Sequence, residues 1–100
     1  HAIRPVVMDP GADLLPYDIV GPVCETGDTF AMGREIDPVV ANDLAVFRTA
    51  GAYGATMAST YNSRGLVPEV LVDDDKFAVV AERIAPETIL AAEHVPDWLK

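Results

Sequence analysis

The sequence is poor in cysteine, histidine and basic residues. It holds one Cys, two His, two Lys and five Arg against 16 acidic residues, which gives a formal net charge of −9. One cysteine cannot form an internal disulfide, as is typical of a reducing compartment, and we predict a cytoplasmic location. Nucleic acids and anionic membranes bind clustered basic residues, so the acidic balance argues against both as partners. His1 and His94 lie at opposite ends of the chain, and no metal site is predicted.

Long apolar runs are also missing. No stretch approaches the roughly 20 apolar residues that cross a bilayer, and no basic segment followed by an apolar one marks a leader. The length of 100 residues suits a single domain with a modest core. The chain begins with His rather than Met, and residues 2–7 already resemble a strand. We therefore expect residues 1–100 to be one domain of a longer protein.

The patterns that are present favour strands, and the thirteen valines agree with them. Apolar runs bounded by Pro, Gly and Asp predict strands at residues 2–8, 17–24 and 44–49, and a hairpin of residues 69–72 and 76–80 with a three-residue loop. Residues 29–43 are predicted to be mostly loop, and residues 52–64 show neither the helical nor the strand periodicity of apolar residues. Pro86 and Glu87 predict the start of one helix that reaches Glu93. The predicted fold is mainly β, a small Greek-key barrel or sandwich with one C-terminal helix.

The lone cysteine lies in the run Gly-Pro-Val-Cys-Glu-Thr-Gly-Asp, residues 21–28. On a regular strand Cys24 and Glu25 would point to opposite faces, but Gly27 and its polar neighbours predict a turn in which both reach one pocket. Asp28 is expected to orient that turn. A second interpretation stays open, since free cysteine is often simply a small core residue.

Three stretches at these spacings resemble the C-terminal part of the diaminopimelate decarboxylase family. They are the run at residues 21–28, Gly-Ala-Tyr-Gly at 51–54 followed by Met-Ala-Ser-Thr-Tyr-Asn-Ser-Arg at 57–64, and Pro-Glu-Val-Leu-Val at 68–72. The resemblance covers nearly the whole chain, from His1 to about Leu90.

The resemblance implies an enzyme that uses pyridoxal 5′-phosphate and has the alanine-racemase-like architecture. An N-terminal (β/α)8 barrel would carry the lysine that binds the cofactor, and these residues would form the C-terminal β-domain. Members remove CO2 from meso-diaminopimelate to give L-lysine and work as head-to-tail homodimers with shared active sites. By resemblance Cys24 is the proton donor, Glu25 contacts the substrate, and Tyr53 touches both cofactor and substrate.

The chemistry of these side chains agrees with those roles. A thiol of ordinary pKa, about 8.5, is mostly protonated at neutral pH, and a neighbouring carboxylate favours the neutral form. A carboxylate such as that of Glu25 accepts hydrogen bonds from a substrate ammonium. The phenol of Tyr53 can donate to a phosphate oxygen, and Gly51 and Gly54 leave room for a ligand.

Two alternatives remain beside this hypothesis. One is a related decarboxylase that acts on ornithine, arginine, lysine or carboxynorspermidine. The other is a non-catalytic β-module for assembly, with Cys24 merely structural. Lys76 and Lys100 match no cofactor-binding motif, so residues 1–100 alone are predicted to be inactive.

Overall fold

The computed structural model describes all 100 residues, which form two compact units, His1–Met57 and Ala58–Lys100. The first unit contains strands β1 (Ile3–Pro5), β2 (Leu15–Val20), β3 (Thr29–Ile36) and β4 (Ala45–Phe47) and a π-helical turn (Gly51–Ala55). The second contains strands β5 (Glu69–Asp73) and β6 (Lys76–Ala81), helix α1 (Pro86–Leu90) and 3-10 turns at Tyr61–Ser63 and Asp97–Leu99. None of these helices has the length and apolar character needed to cross a membrane.

The first unit is built from two antiparallel strand pairs, β1 with β4 and β2 with β3. Its most deeply buried side chains are Ile3, Pro5 and Ile36, from β1 and the end of β3. The rings of Phe30 and Phe47 meet edge to face, with centroids 4.8 Å apart, and so join β3 to β4. Aromatic pairs of this geometry are favourable beyond the area they bury.

Strand β3 corrects the prediction that residues 29–43 are mostly loop. Its sequence alternates poorly, and Gly33 interrupts it. In the structure Gly33 has a φ of 59° within a bulge, where Met32 and Gly33 lie opposite Asp18. The Gly33 N–H donates to the Asp18 carboxylate at 2.8 Å, so a side chain of β2 replaces the ladder bond that the bulge disrupts.

Other predicted strands are real but shorter. Strand β1 ends at Pro5 instead of residue 8, and β4 covers the centre of the predicted residues 44–49. Strand β2 begins earlier than residue 17 and ends at Val20 instead of residue 24. The Gly21 N–H makes one more bond, to the Asp28 carbonyl oxygen, and Pro22 then has no N–H with which to continue the ladder.

The hairpin of the second unit is confirmed, with a tighter connection than predicted. Asp73 pairs with Lys76, which leaves Asp74 and Asp75 as a two-residue loop. Asp74 has the positive φ, 55°, that short hairpin loops use. Helix α1 starts at Pro86 as predicted but ends at Leu90, so residues 91–93 lie outside it.

The mainly β class with one C-terminal helix is confirmed. Within the two units the strands pair as three two-stranded antiparallel sheets. Proline supplies no N–H to a ladder and occupies edge positions, so Pro5 in β1 and Pro16 in β2 limit pairing on a second side.

Candidate functional site

The predicted proton donor lies on the connection between β2 and β3, residues 21–28, here called the Cys24 loop. Its ends are joined by the hydrogen bond from the Gly21 N–H to the Asp28 carbonyl oxygen, 2.8 Å. Because β2 ends at Val20, Cys24 lies outside the strand that was predicted to include it. The predicted turn is therefore present, and it spans the whole loop.

Two tight turns follow each other within the Cys24 loop. The Glu25 N–H donates to the Val23 carbonyl oxygen at 2.9 Å, a three-residue γ-turn centred on Cys24. The Asp28 N–H then donates to the Glu25 carbonyl oxygen at 3.1 Å, which closes a β-turn. Cys24 therefore occupies the apex of the sharper turn.

The Asp28 side chain fastens the loop from inside. One carboxylate oxygen accepts the Val23 N–H at 3.1 Å, in partly buried surroundings. That carboxylate lies so close to Gly21 that a Cβ added there would overlap it. The expectation that Asp28 orients the turn is confirmed, whereas the close approach of its carboxylate to Gly21 was not predicted.

Cys24 and Glu25 are both exposed. Cys24 is thus not a core residue of this chain, which was the structural interpretation of the lone cysteine. The Glu25 side chain folds back over Gly27, where an added Cβ would contact its carboxylate. A shared pocket for the two side chains stays a prediction.

Tyr53 is carried by the π-helical turn Gly51–Ala55. The bond from the Ala55 N–H to the Ala50 carbonyl oxygen, 3.0 Å, defines the wide turn, and the Thr56 hydroxyl donates to the carbonyl of Ala52. Single π turns often occur at functional sites. The Tyr53 side chain is 72% exposed, and a Cβ added to Gly51 would meet no atom within 4 Å. The predicted room is therefore present at Gly51 but not at Gly54, where an added Cβ would lie 3.1 Å from the Ala50 side chain.

The structure brings some of the predicted site residues together and not others. Cys24 and Glu25 are neighbours in one loop. Tyr53 belongs to the same unit but is carried by a separate turn, Gly51–Ala55. The Cys24 thiol can donate a proton, the Glu25 carboxylate can accept hydrogen bonds from a cation, and the Tyr53 hydroxyl can donate a hydrogen bond to an anion.

The strand pairs and the Cys24 loop place the chain in a known class. A sequence profile described as "Pyridoxal-dependent decarboxylase, C-terminal sheet domain" matches residues 1–51, which include β1 to β4 and the Cys24 loop. The chain belongs to this family of pyridoxal-dependent decarboxylases.

The similar proteins within that class are diaminopimelate decarboxylases, which confirms the resemblance seen in the sequence. The chain is 50% identical over 99 residues to the enzyme of Zymomonas mobilis, covering 99% of this chain and 23% of that protein. It is 40% identical over 93 residues to the enzyme of Helicobacter pylori, covering 93% and 23%. The chain thus spans about a quarter of the length of these relatives.

Solved structures give the same result. The diaminopimelate decarboxylase of M. jannaschii in complex with L-lysine matches with a TM-score of 0.84 and 34% identity, covering all of this chain and 23% of that one. The H. pylori enzyme complexed with L-lysine matches with a TM-score of 0.77 and 37% identity, covering 91% and 22%.

Proposed function

We propose that this chain is the C-terminal part of a pyridoxal-phosphate-dependent decarboxylase that converts meso-diaminopimelate to L-lysine and CO2. The observation that carries the proposal is the match of 50% identity over 99 residues, which includes both the Cys24 loop and the Tyr53 turn. The lysine complexes of two related enzymes agree with L-lysine as the product.

Some residues of this chain are suited to contact the pyridoxal phosphate cofactor, and others are not. Tyr53 is an exposed residue in the same turn as the open Gly51, and its hydroxyl would donate to an oxygen of the cofactor phosphate. Neither lysine suits the covalent attachment of the cofactor. Lys100 pairs with Asp97 at 3.2 Å, and Lys76 lies opposite Asp73 at the hairpin tip. The attachment lysine is therefore assigned to the rest of the enzyme.

The residues of the Cys24 loop would complete the reaction. When bound, pyridoxal phosphate supplies the electron sink for the pair left by the departing CO2. The Cys24 thiol would then donate its proton to the carbon that lost CO2, and the exposed thiolate would regain a proton from solvent. The Glu25 carboxylate would accept hydrogen bonds from the distal ammonium of the substrate and so hold the carbon within reach of the thiol.

The proposal extends to the assembly and the location of the enzyme. Two copies would pair so that the Cys24 loop of one completes the site of the other, and the homodimer would be cytoplasmic. The exposure of Cys24, Glu25 and Tyr53 on a single chain supports a site completed by further protein.

A substrate comparison tests the proposal. The full-length enzyme, loaded with pyridoxal phosphate, is given each amino acid in turn, and CO2 release is measured. We expect release from meso-diaminopimelate and none from the LL isomer, which lacks the D-configured centre. Faster release from ornithine, arginine, lysine or carboxynorspermidine would assign the chain to a related decarboxylase and contradict the proposal.

A further inference from the structure

We propose that Asp28 and Gly21 act together to position the thiol of Cys24 for proton transfer. Asp28 is inferred to be a positioning residue, because its carboxylate acts on the backbone of the Cys24 loop and not on the substrate. The inference rests on the proposed role of Cys24, and its test separates the two.

The geometry gives the Asp28 side chain a specific task. Cys24 lies between two residues whose N–H groups are both engaged. The N–H of Glu25 is held by the γ-turn, and the N–H of Val23 is held by the Asp28 carboxylate at 3.1 Å. Without that carboxylate the γ-turn loses the side-chain contact that fixes its leading residue.

Gly21 contributes by leaving space for the Asp28 carboxylate. The Asp28 carboxylate occupies the space that a Cβ on residue 21 would need, so any other residue at position 21 displaces it. Gly21 also donates its N–H to the Asp28 carbonyl oxygen at 2.8 Å, which brings the two residues together. An alanine at position 21 and the loss of the Asp28 carboxylate should therefore have the same consequence.

Asp43 offers a matched control. Its carboxylate also accepts a backbone N–H, from Val40 at 2.9 Å, in a loop of the same unit. Asp43→Ala removes the same kind of hydrogen bond without touching the Cys24 loop. Any effect specific to Asp28→Ala then belongs to the position of Cys24 and not to the general loss of one loop contact.

The test uses the full-length decarboxylase loaded with pyridoxal phosphate, with kcat and KM measured for meso-diaminopimelate. A misplacement of the donor by about 1 Å costs roughly 10- to 100-fold in rate, so we expect Asp28→Ala to lower kcat at least about tenfold. KM should stay within about twofold, because the substrate contacts are kept. Asp28→Asn should restore most of kcat, since its amide oxygen still accepts from Val23, and Asp43→Ala should match the wild type.

Gly21→Ala provides an independent variant. It should lower kcat about as much as Asp28→Ala, and the double variant should be no worse than either single one, because both remove one contact. Hydrogen exchange of a peptide covering residues 21–28 should accelerate in both variants and not in Asp43→Ala.

The inference is overturned if Asp28→Ala keeps wild-type kcat, if Asp43→Ala loses as much, or if the two loop variants are additive. The variant Cys24→Ala identifies a failure of the proposed function. If Cys24→Ala keeps the wild-type kcat, Cys24 is not the proton donor and the proposed function fails. If Cys24→Ala loses most of its kcat while Asp28→Ala keeps full activity, only the positioning role of Asp28 is contradicted.

Discussion

Replacing Gly33 by alanine should loosen the pairing of β2 with β3 next to the Cys24 loop. Gly33 has a φ of 59°, and its N–H donates to Asp18 at 2.8 Å in the bulge. A Cβ built there would meet no atom within 4 Å. The cost of the substitution is therefore backbone strain alone, with no steric clash to add.

The magnitude follows from the left-handed conformation. For an L-residue it costs about 1–2 kcal/mol, partly offset by the lower entropy that alanine gives the unfolded chain. A net loss of about 1 kcal/mol raises the local opening equilibrium roughly fivefold. Gly51→Ala is the matched control, because its Cβ also meets no atom within 4 Å and its φ is not positive.

Hydrogen exchange followed by mass spectrometry measures this opening in the full-length protein. Peptides from β2 and β3 should exchange roughly fivefold faster in Gly33→Ala, and their exchange should be unchanged in Gly51→Ala. Unchanged exchange in Gly33→Ala would refute the reasoning, as would an equal acceleration of these peptides in both variants.

Three further predictions concern the site. Residues 1–100, purified alone and mixed with pyridoxal phosphate, should release no CO2 from meso-diaminopimelate and show no absorbance band of a lysine-bound cofactor; a yellow, active preparation contradicts this. In the full-length enzyme, Tyr53→Phe should raise the cofactor Kd about fivefold through loss of one hydrogen bond. The control Tyr17→Phe loses a different hydrogen bond, the one from the Val39 N–H, and should leave the cofactor Kd unchanged. Equal Kd values for the two variants would contradict the assignment of Tyr53 to the cofactor phosphate. Glu25→Gln should raise KM for meso-diaminopimelate about tenfold, and an unchanged KM removes Glu25 from the substrate site.

Much of the fold could be predicted because local chemistry determines it. Pro86 and Glu87 predicted the start of α1, and the apolar runs on either side of three aspartates predicted the hairpin of β5 and β6. Strand β3 could not be predicted from its own residues. It depends on a bulge at Gly33 and on a carboxylate from β2, contacts that form only when the two strands pair.

The same division holds for the site. The residue types of the Cys24 loop predicted a turn and the orienting role of Asp28, since Gly and Asp favour turns through their own backbone preferences. The close approach of the Asp28 carboxylate to Gly21 could not be predicted, because it arises when a side chain seven positions later folds back on the backbone. The π-helical turn at Tyr53 could not be predicted either, because residues 52–64 show no helical spacing of apolar residues.

The proposed role of Cys24 is to donate the proton that completes decarboxylation, and the turnover of Cys24→Ala is the direct test of that role. A positioned general acid contributes about 100- to 10,000-fold, so kcat of the full-length variant with meso-diaminopimelate should fall at least about 100-fold while cofactor binding is kept. Thr26→Ala, in the same loop, should retain activity. Turnover of Cys24→Ala within twofold of the wild type would rule out Cys24 as the proton donor and favour a β-module with a structural role.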